Sequence, residues 1–405
     1  MSEVVAAMRL NNPRLREAWA AYHSARAVAK TPTPLLNPTL SAGPLLFSGV
    51  SVLSSARYGV EAALGWTLQL GGARAATDDL NALRAQAALA EAAGAERSEY
   101  LELRNDFVRL AFVALRLDVR REVAVTARRA ADAGRRLIEA AQATALDLRV
   151  LELEAARSES TLLAEDGAIS EARARIAARL GLSLNRISSV TREGLAPLPS
   201  AIPTPEELHL TMLRDHPELA ILKAQYLVAE QELRLEIRRQ IPALDLGASY
   251  EREDRVDRFG LPFGIELPIF DGNQQGIARA TSARAAARVK FEVAVAARLA
   301  AVEFGLDRLR LAQGRFNSLR TAIAPLARGT VDMARAALPA GAVDALRFLE
   351  VLRVDREVRL DIVAAEADLY NAWLELEQAC GAPLLRFPNE PSADRLEPLS
   401  MEGEK

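Results

Sequence analysis

The chain contains one unit twice, and this repeat limits its possible folds more than any other feature. Five anchors recur in the same order, about 200 residues apart. They are NPRL at 12–15 with HPEL at 216–219, Pro38/Leu40/Gly43 with Pro242/Leu244/Gly247, 65–70 with 264–269, 151–152 with 349–350, and Gly181 with Gly381. This order predicts a first repeat at 1–182 and a second at 206–382. A Pro-rich linker at 183–205 joins them, and a flexible tail follows at 383–405.

Each repeat has the same predicted order of elements. A short helix ends before the proline of NPRL or HPEL, because proline disfavours helix in the residue before it. An Ala-rich helix follows, then a β-hairpin at 38–70 or 242–270, and then two long helical stretches. These stretches cover 73–139 with 144–181 in the first repeat, and 274–336 with 342–380 in the second. Helices of about 60 residues span roughly 90 Å, which is typical of extended bundles and coiled coils.

The β sections alternate large apolar residues with small or polar ones over more than ten positions. Such alternation is typical of a strand with one apolar face, and transmembrane barrel strands need about 9–11 residues of it. The predicted lipid-facing residues are Tyr58, Val60, Leu64, Trp66 and Leu68 in the first repeat, and Phe259, Leu261, Phe263, Ile265 and Leu267 in the second.

Four strands per chain cannot close a barrel, and lipid does not tolerate an open sheet edge. Several chains must therefore contribute, and three chains would supply twelve strands. The alternative is two ordinary solvent-facing hairpins packed on helices. Pro262 and Pro268 favour that alternative, because proline weakens an interior strand.

Composition excludes several classes of function. The net charge of −3 and pI near 5.9 argue against a nucleic-acid-binding surface. One cysteine, Cys380, cannot form an intramolecular disulfide or a thiolate zinc site. The three histidines are scattered, and neither a nucleotide-binding loop nor a catalytic motif is present. The sequence predicts neither enzymatic activity nor a metal or cofactor site.

The start of the chain carries no export signal. No run of about 18 apolar residues exists, and MSEVVAAMRLNNP lacks the basic and apolar regions of a signal peptide. Alone, these features would predict a soluble cytoplasmic protein, which conflicts with the barrel strands. Because Glu3 already aligns with the first helix of the repeat, we expect the folded unit to be complete without its export segment.

The order of these parts resembles the TolC family of outer-membrane efflux channels over residues 3–382. The resemblance rests on the twin NPRL and HPEL motifs, the strand starts NPTL and IPAL, the LPIFDG motif at 267–272, and the closing Leu180-Gly181 and Cys380-Gly381. The phrase QLGGAR at 69–74 is similar to the CzcC and CusC branch, which serves heavy-metal efflux.

This resemblance implies a mainly α fold with a small β part. Long antiparallel helical hairpins would form a periplasmic tunnel, and the four strands of each chain would complete a twelve-stranded barrel in a homotrimer. It also implies location in the outer membrane and periplasm, and partners that are outer-membrane lipid, a periplasmic adaptor protein and an inner-membrane RND-type transporter. Nucleic acid is not an expected partner.

The turns between the long helices would form the far end of the tunnel. The residues expected to gate this tip are Asp344, Arg347, Glu350, Asp147, Arg149 and Glu152. In the family, acidic residues at two places after the second turn constrict the entrance, and Arg347 breaks that doubly acidic pattern. One hypothesis is that these groups form ion pairs between helices that hold the tip closed. The other is that they lie on a solvated helix face.

The sequence thus predicts a passive outer-membrane channel of a tripartite efflux system, conducting metal ions or drugs. Two alternatives remain open at this stage. The chain could be an exit duct for type I protein secretion, or a coiled-coil scaffold that is not exported. The strands with one apolar face discriminate against the scaffold, which has no use for them.

Overall fold

A computed structural model describes residues 2–47, 57–139, 144–183, 195–199, 201–253, 256–337, 343 and 345–387. The first repeat contains α1 Ser2–Asn11, α2 Pro13–Lys30, β1 Thr39–Phe47, β2 Arg57–Gln69, α3 Ala73–Glu139 and α4 Ala145–Leu180. The second contains α5 Pro205–Asp215, α6 Pro217–Arg238, β3 Ala243–Glu253, β4 Val256–Gly260, β5 Phe263–Ile265, α7 Gln274–Ser318, a π-helical turn Leu319–Ile323, α8 Ala324–Ala337 and α9 Ala345–Cys380. Both repeats therefore contain two helices, a set of strands and a long helical hairpin in the same order.

Local sequence explains where the helices begin and end. Thr144 caps α4 and Thr204 caps α5, each in a capping box with the acidic residue three positions later. Pro205 follows as the first residue of α5, where the missing N–H costs no hydrogen bond. Gly181 ends α4 in the left-handed region, with φ 63°.

The strands form one antiparallel sheet in the order β1-β2-β3-β4, with β5 also pairing with β3. β4 and β5 follow one register, since Ser249 opposes Gly260 and Leu246 opposes Phe263. Pro262 lies in the gap between them, and its carbonyl oxygen accepts a hydrogen bond from Gly247 N at 2.8 Å. The sheet is therefore four-stranded in effect, because Pro262 interrupts the last strand without shifting its pairing.

The chain divides into two compact units. One contains residues 1–18, 93–218 and 295–405, and the other contains 19–92 and 219–294. The second unit holds the sheet and has a small apolar core of Ala76, Leu80 and Leu235. Each sequence repeat contributes to both units, so a repeat is not a compact body by itself.

In the first unit, each repeat forms a tight corner against the end of its own last helix. Asn12 ends one short helix, and its side chain donates to the Arg179 carbonyl at 2.9 Å. A Cβ atom on Gly181 would lie 2.4 Å from Asn11 O. In the second repeat Gly381, with φ 68°, meets His216 and Pro217 in the same way, and its Cβ would lie 2.6 Å from Pro217 Cδ. The paired anchors of the sequence repeat are thus contacts in the fold.

The start of the tail is packed, which corrects the prediction of a flexible segment from residue 383. Leu385 and Phe387 are buried, and the Glu377 carboxylate accepts hydrogen bonds from the backbone N–H of Leu384 and Leu385. Arg104 donates to the Leu385 carbonyl at 2.7 Å. Buried charges on two helices hold this segment, and nothing in the tail's own composition predicts them.

Candidate functional site

The sheet has one mainly apolar face and one polar face, and the pair Arg252 and Asp257 lies at one end of the apolar face. On the apolar face Leu64 opposes Leu40 on one side and Ala248 on the other, and Trp66 opposes Leu246. Leu40 is 77% exposed and Phe263 is 80% exposed, so large apolar groups cover an open surface. A patch of this kind marks contact with lipid or another protein.

Most predicted lipid-facing residues lie on this apolar face. Val60, Leu64, Trp66, Phe259, Phe263 and Ile265 are exposed strand residues, and Leu68 is half-buried beside Leu244. Leu261 lies in the gap between β4 and β5, and Leu267 follows the end of β5, so neither is in a ladder, although both are exposed. Tyr58 belongs to β2, and its side chain is outside the described part of the structure.

Two further strands, β1 and β3, contribute apolar residues to this face that were not among the predicted ones. Leu40, Leu244, Leu246 and Tyr250 share it, as the cross-strand register shows. The signal was available, because residues 244–250 alternate with period two.

The opposite face is polar and small. Thr67 donates to Asp245 at 2.5 Å, and Glu61 lies directly opposite Glu251. Arg258 reaches Glu251 at 3.6 Å and Glu253 at 3.4 Å. Such a face suits contact with water, so the sheet as a whole is built to separate an aqueous from an apolar environment.

The sheet also has two open edges. Within the described residues, β1 pairs only with β2, and the β4–β5 strand pairs only with β3. Exposed strand edges present unpaired backbone N–H and C=O groups. A sheet that is apolar on one face and open at both edges needs further strands before it can sit in lipid.

The first long hairpin ends in a locally paired cluster. Asp147 accepts from the N–H and hydroxyl of Thr144 at 2.9 and 2.7 Å, and these bonds lower the pKa of its carboxyl. Arg149 pairs with Glu152 at 3.1 Å, and Arg135 of α3 reaches the same carboxylate at 3.2 Å. Asp147 therefore caps a helix, while Glu152 joins the two helices of the hairpin.

The second long hairpin keeps its described charges along one helix. Glu350 pairs with Arg353 at 2.7 Å, and Arg353 also reaches Glu357 at 2.8 Å. Arg353, and then Arg347, lower the pKa of Glu350. Asp344 lies outside the described residues, so its predicted position beside Arg347 has no structural counterpart here. Sequence reasoning missed Arg353, although its spacing of three from Glu350 is a standard helical pair.

The two hairpins are joined a little further from the turns. Arg359 of α9 reaches Glu122 of α3 at 3.3 Å and Asp355 of its own helix at 3.0 Å. Asp355 is buried, whereas Glu122 is 62% exposed, so the pair between the hairpins stays open to water. Arg359 and Glu122 thus link the two hairpins of one chain, and neither is among the six predicted tip residues.

Among the described residues, no three His, Cys, Asp or Glu side chains are grouped so as to hold a metal ion. Of the helices in the described part of the chain, none combines the length and apolarity needed to cross a membrane.

Comparison with known proteins gives one family and one fold. Residues 211–382 match the model of the family described as outer membrane efflux protein. No curated protein sequence matches the chain.

Several solved structures share the fold. A membrane protein from Pseudomonas aeruginosa is 19% identical, with a TM-score of 0.78 over 94% of this chain and 90% of that one. The channel CusC is 15% identical, with a TM-score of 0.75 over 94% and 92%. The outer membrane protein VceC from Vibrio cholerae is 16% identical, with a TM-score of 0.74 over 94% and 96%. The predicted fold class, long helical hairpins with a small antiparallel sheet, is confirmed.

Proposed function

Because residues 211–382 belong to the outer membrane efflux protein family and the chain shares its fold with solved outer-membrane channels, we propose that it is the passive exit channel of a tripartite efflux system. It lies in the outer membrane and extends into the periplasm. A homotrimer forms the conduit, and an adaptor protein and an inner-membrane RND-type transporter supply substrate and energy. Metal ions or drugs are the proposed cargo.

The two-faced sheet carries this proposal. Its apolar face holds Leu64, Trp66 and Phe263 at the surface, while Thr67 and Asp245 occupy the other face. Three copies of a four-stranded sheet supply twelve strands, which close both edges and leave the polar faces toward an aqueous lumen. A soluble scaffold gains nothing from this arrangement, so the sheet favours a channel.

A charge on the lipid face tests the proposal. We expect Leu64→Lys to block assembly in the outer membrane, because a lysine near the middle of a lipid-facing strand costs about 2–4 kcal/mol in each copy. Membrane fractionation and the yield of trimer in detergent measure the effect.

Ser249→Lys, on the polar face, is the matched control and should assemble normally. Normal trimer yield from Leu64→Lys would contradict the barrel assignment.

Gating of the tip is a second part of the proposal. Three charged residues of the tip, Arg347, Glu350 and Glu152, are expected to form contacts between copies that hold the channel closed. Replacing Arg347 and Glu350 by Ala should raise single-channel conductance in planar bilayers. Asp147→Asn keeps the cap partly intact and serves as a control, since Asp147 is occupied by Thr144. Unchanged conductance in the double variant would assign both residues to a solvated helix face.

A further inference from the structure

A cavity of about 830 Å³ lies between α3, α6 and α7, beside the loop that leads into α7. This volume is in the range of pockets that hold small organic molecules, roughly 300–1,000 Å³. Leu80, Leu235 and Ala280 line the cavity and are buried, so its floor is apolar. The wall formed by α7 presents Gly276, Ala280 and Ala283, which are too short to fill the space. The cavity therefore has room and an apolar surface for an organic molecule.

The loop at the rim of the cavity is held in one conformation. Asn273 Nδ2 donates to the backbone carbonyl of Glu236 at 2.9 Å and to its carboxylate at 2.6 Å. The backbone of Asn273 has φ 58°, in the left-handed region that residues other than glycine rarely occupy. A Cβ atom on Gly276 would collide with the Asn273 side chain, so glycine permits this close approach. Strained backbone that its surroundings hold in place is common at ligand sites.

Most charges around the cavity pair with one another. Arg84 of α3 binds Glu232 of α6 at 2.8 Å, and Arg239 binds Glu236 at 2.6 Å. Arg279 differs from these two arginines, because it lines the cavity without an acidic partner among the residues that the structure describes. A guanidinium in this state is a donor for an anionic group such as a carboxylate or a sulfonate.

Two residues of the rim narrow the class of ligand further. Asp271 also lines the cavity, but its carboxylate accepts a hydrogen bond from Asn273 N at 2.9 Å within the loop. Phe270 is 95% exposed at the same rim, so its ring is available to cover an apolar or aromatic group. An anionic group for Arg279 and an apolar body for Phe270 together describe an amphipathic anion.

The cavity lies on the side of α6 away from the exposed apolar residues of that helix. Ile237 is 47% exposed and lies five positions from Glu232, which places it about 140° around the helix. Leu227 is also exposed and lies nine positions from Glu236, about 180° around. In the proposed channel, exposed apolar side chains this close to the sheet face outward, and the cavity then opens toward the aqueous lumen.

We propose that this cavity binds an amphipathic organic anion, with the acidic group on Arg279 and the apolar body between Phe270 and the floor of Leu80 and Leu235. That the ligand is cargo in transit rests on the proposed channel function. Binding is expected to be weak, because a conduit must release what it holds.

Titration of a small probe, followed by the NMR signals of the probe itself, tests the site. The probe is naphthalenesulfonate, and naphthylmethylammonium tests the sign of the charge. With the full chain purified in an uncharged detergent, we expect the sulfonate to bind with a dissociation constant of roughly 1 mM, the scale for a ligand of this size. The variant Arg279→Gln should weaken this binding about tenfold, because it removes a charged donor.

Two further variants serve as controls. Ala283→Trp fills the cavity from the α7 wall and should abolish specific binding, so it also measures how much probe enters the detergent. Arg288→Gln removes the same charge from the same helix outside the cavity, where Arg288 pairs with Glu292 at 2.8 Å, and should leave binding unchanged.

The outcomes separate the site from the proposed function when planar-bilayer conductance is measured on the same preparations. Binding that Arg279→Gln and Ala283→Trp reduce, and Arg288→Gln does not, supports the site. No binding, equal losses in the two arginine variants, or equal or tighter binding of the ammonium would overturn it. Conducting channels that do not bind the sulfonate overturn the site alone, whereas specific binding without conductance overturns the channel and keeps the site.

Discussion

The two corners of the molecule have the same backbone geometry and different chemistry. In each, a short helix breaks before a proline and rests on a left-handed glycine, Gly181 or Gly381. Around the first corner, Arg179 binds Glu99, Glu102 and Asp106 at 2.6–2.9 Å, and its side chain remains 18% exposed.

Around the second corner, Arg104 pairs with Glu377 at 2.8 Å, and neither side chain is exposed. The Arg104 guanidinium also lies 4.6 Å from the ring of Phe387. The two repeats therefore share a backbone contact, whereas the charged residues around that contact differ between the two corners. The first corner kept access to water, whereas the second was covered by the segment after Gly381.

We expect the largest loss of stability when the buried ion pair between Arg104 and Glu377 is broken. Glu377→Ala leaves Arg104 charged in a dry site and removes the acceptor of two backbone N–H groups, so we expect a loss of about 3–5 kcal/mol in the free energy of unfolding. Arg179→Ala should cost less, because Glu102 is 44% exposed and Glu99 keeps Asn12 and Arg14 as partners. Denaturant unfolding in detergent measures both.

The double variant Arg104→Met/Glu377→Leu sharpens this test. Removing both charges should recover part of the loss, since no buried charge then lacks its partner. A double variant as unstable as Glu377→Ala would show that the carboxylate acts mainly by holding the backbone of Leu384 and Leu385.

Substitution of either corner glycine, Gly181 or Gly381, by alanine should lower the stability by a similar, intermediate amount. Gly181→Ala and Gly381→Ala each place a Cβ at positive φ and within 2.6 Å of a backbone or proline atom. The strain alone costs about 1–3 kcal/mol, so both variants should lower the midpoint of unfolding. Gly272→Ala is the control, because its Cβ would meet no atom closer than 3.7 Å. If only one corner glycine were sensitive, the corners would not be equivalent in energy.

The smallest effect concerns pH and distinguishes Asn12 from His216. Asn12 Oδ1 accepts from Arg14 N, and His216 Nδ1 accepts from Glu218 N at 3.2 Å. Burial, and then Arg298, lower the pKa of His216 below its ordinary value. The imidazole of His216 therefore binds a proton more readily in the unfolded state than in the folded state. Its contribution to the free energy of unfolding is complete above the ordinary histidine pKa and is lost as pH falls through the lower pKa of the folded state.

His216→Asn should keep the cap and remove this contribution. We expect the variant to lose stability less steeply than the parent protein between about pH 6.5 and the acid range. Thermal unfolding midpoints across this range measure the slope. An unchanged slope would assign the acid sensitivity to other groups.

Much of the fold could be predicted because it depends on short stretches of sequence. The paired anchors at Gly181 and Gly381 indicated the repeat, and Pro, Gly and periodicity placed the helix ends within a few residues. The fold is confirmed, and residues 211–382 match the outer membrane efflux protein family. The positions of the strands could also be predicted. Successive side chains of a strand point to opposite faces of the sheet, so a strand with one apolar face shows alternation with period two in its own sequence.

The remaining features depend on partners far away in sequence. Arg104 and Glu377 are 273 positions apart, and nothing near either one marks it as buried. At the tip, the charge of Asp147 alone does not reveal its contact, which is a capping box with Thr144. The π turn at Leu319–Ile323 leaves no clear mark in the sequence, because a single extra residue does not disturb a coarse helical pattern.

Pro262 has a further consequence for how the sheet can grow. In an antiparallel ladder the N–H and C=O of one residue point to the same side, and successive residues alternate sides. The carbonyl of Pro262 points inward and accepts from Gly247 N, so the N–H that proline lacks would also have pointed toward β3. The backbone groups of Leu261 and Phe263 point the other way. The proline therefore removes one donor from the inner ladder and none from the outer rim, which keeps its full complement for a strand arriving from outside.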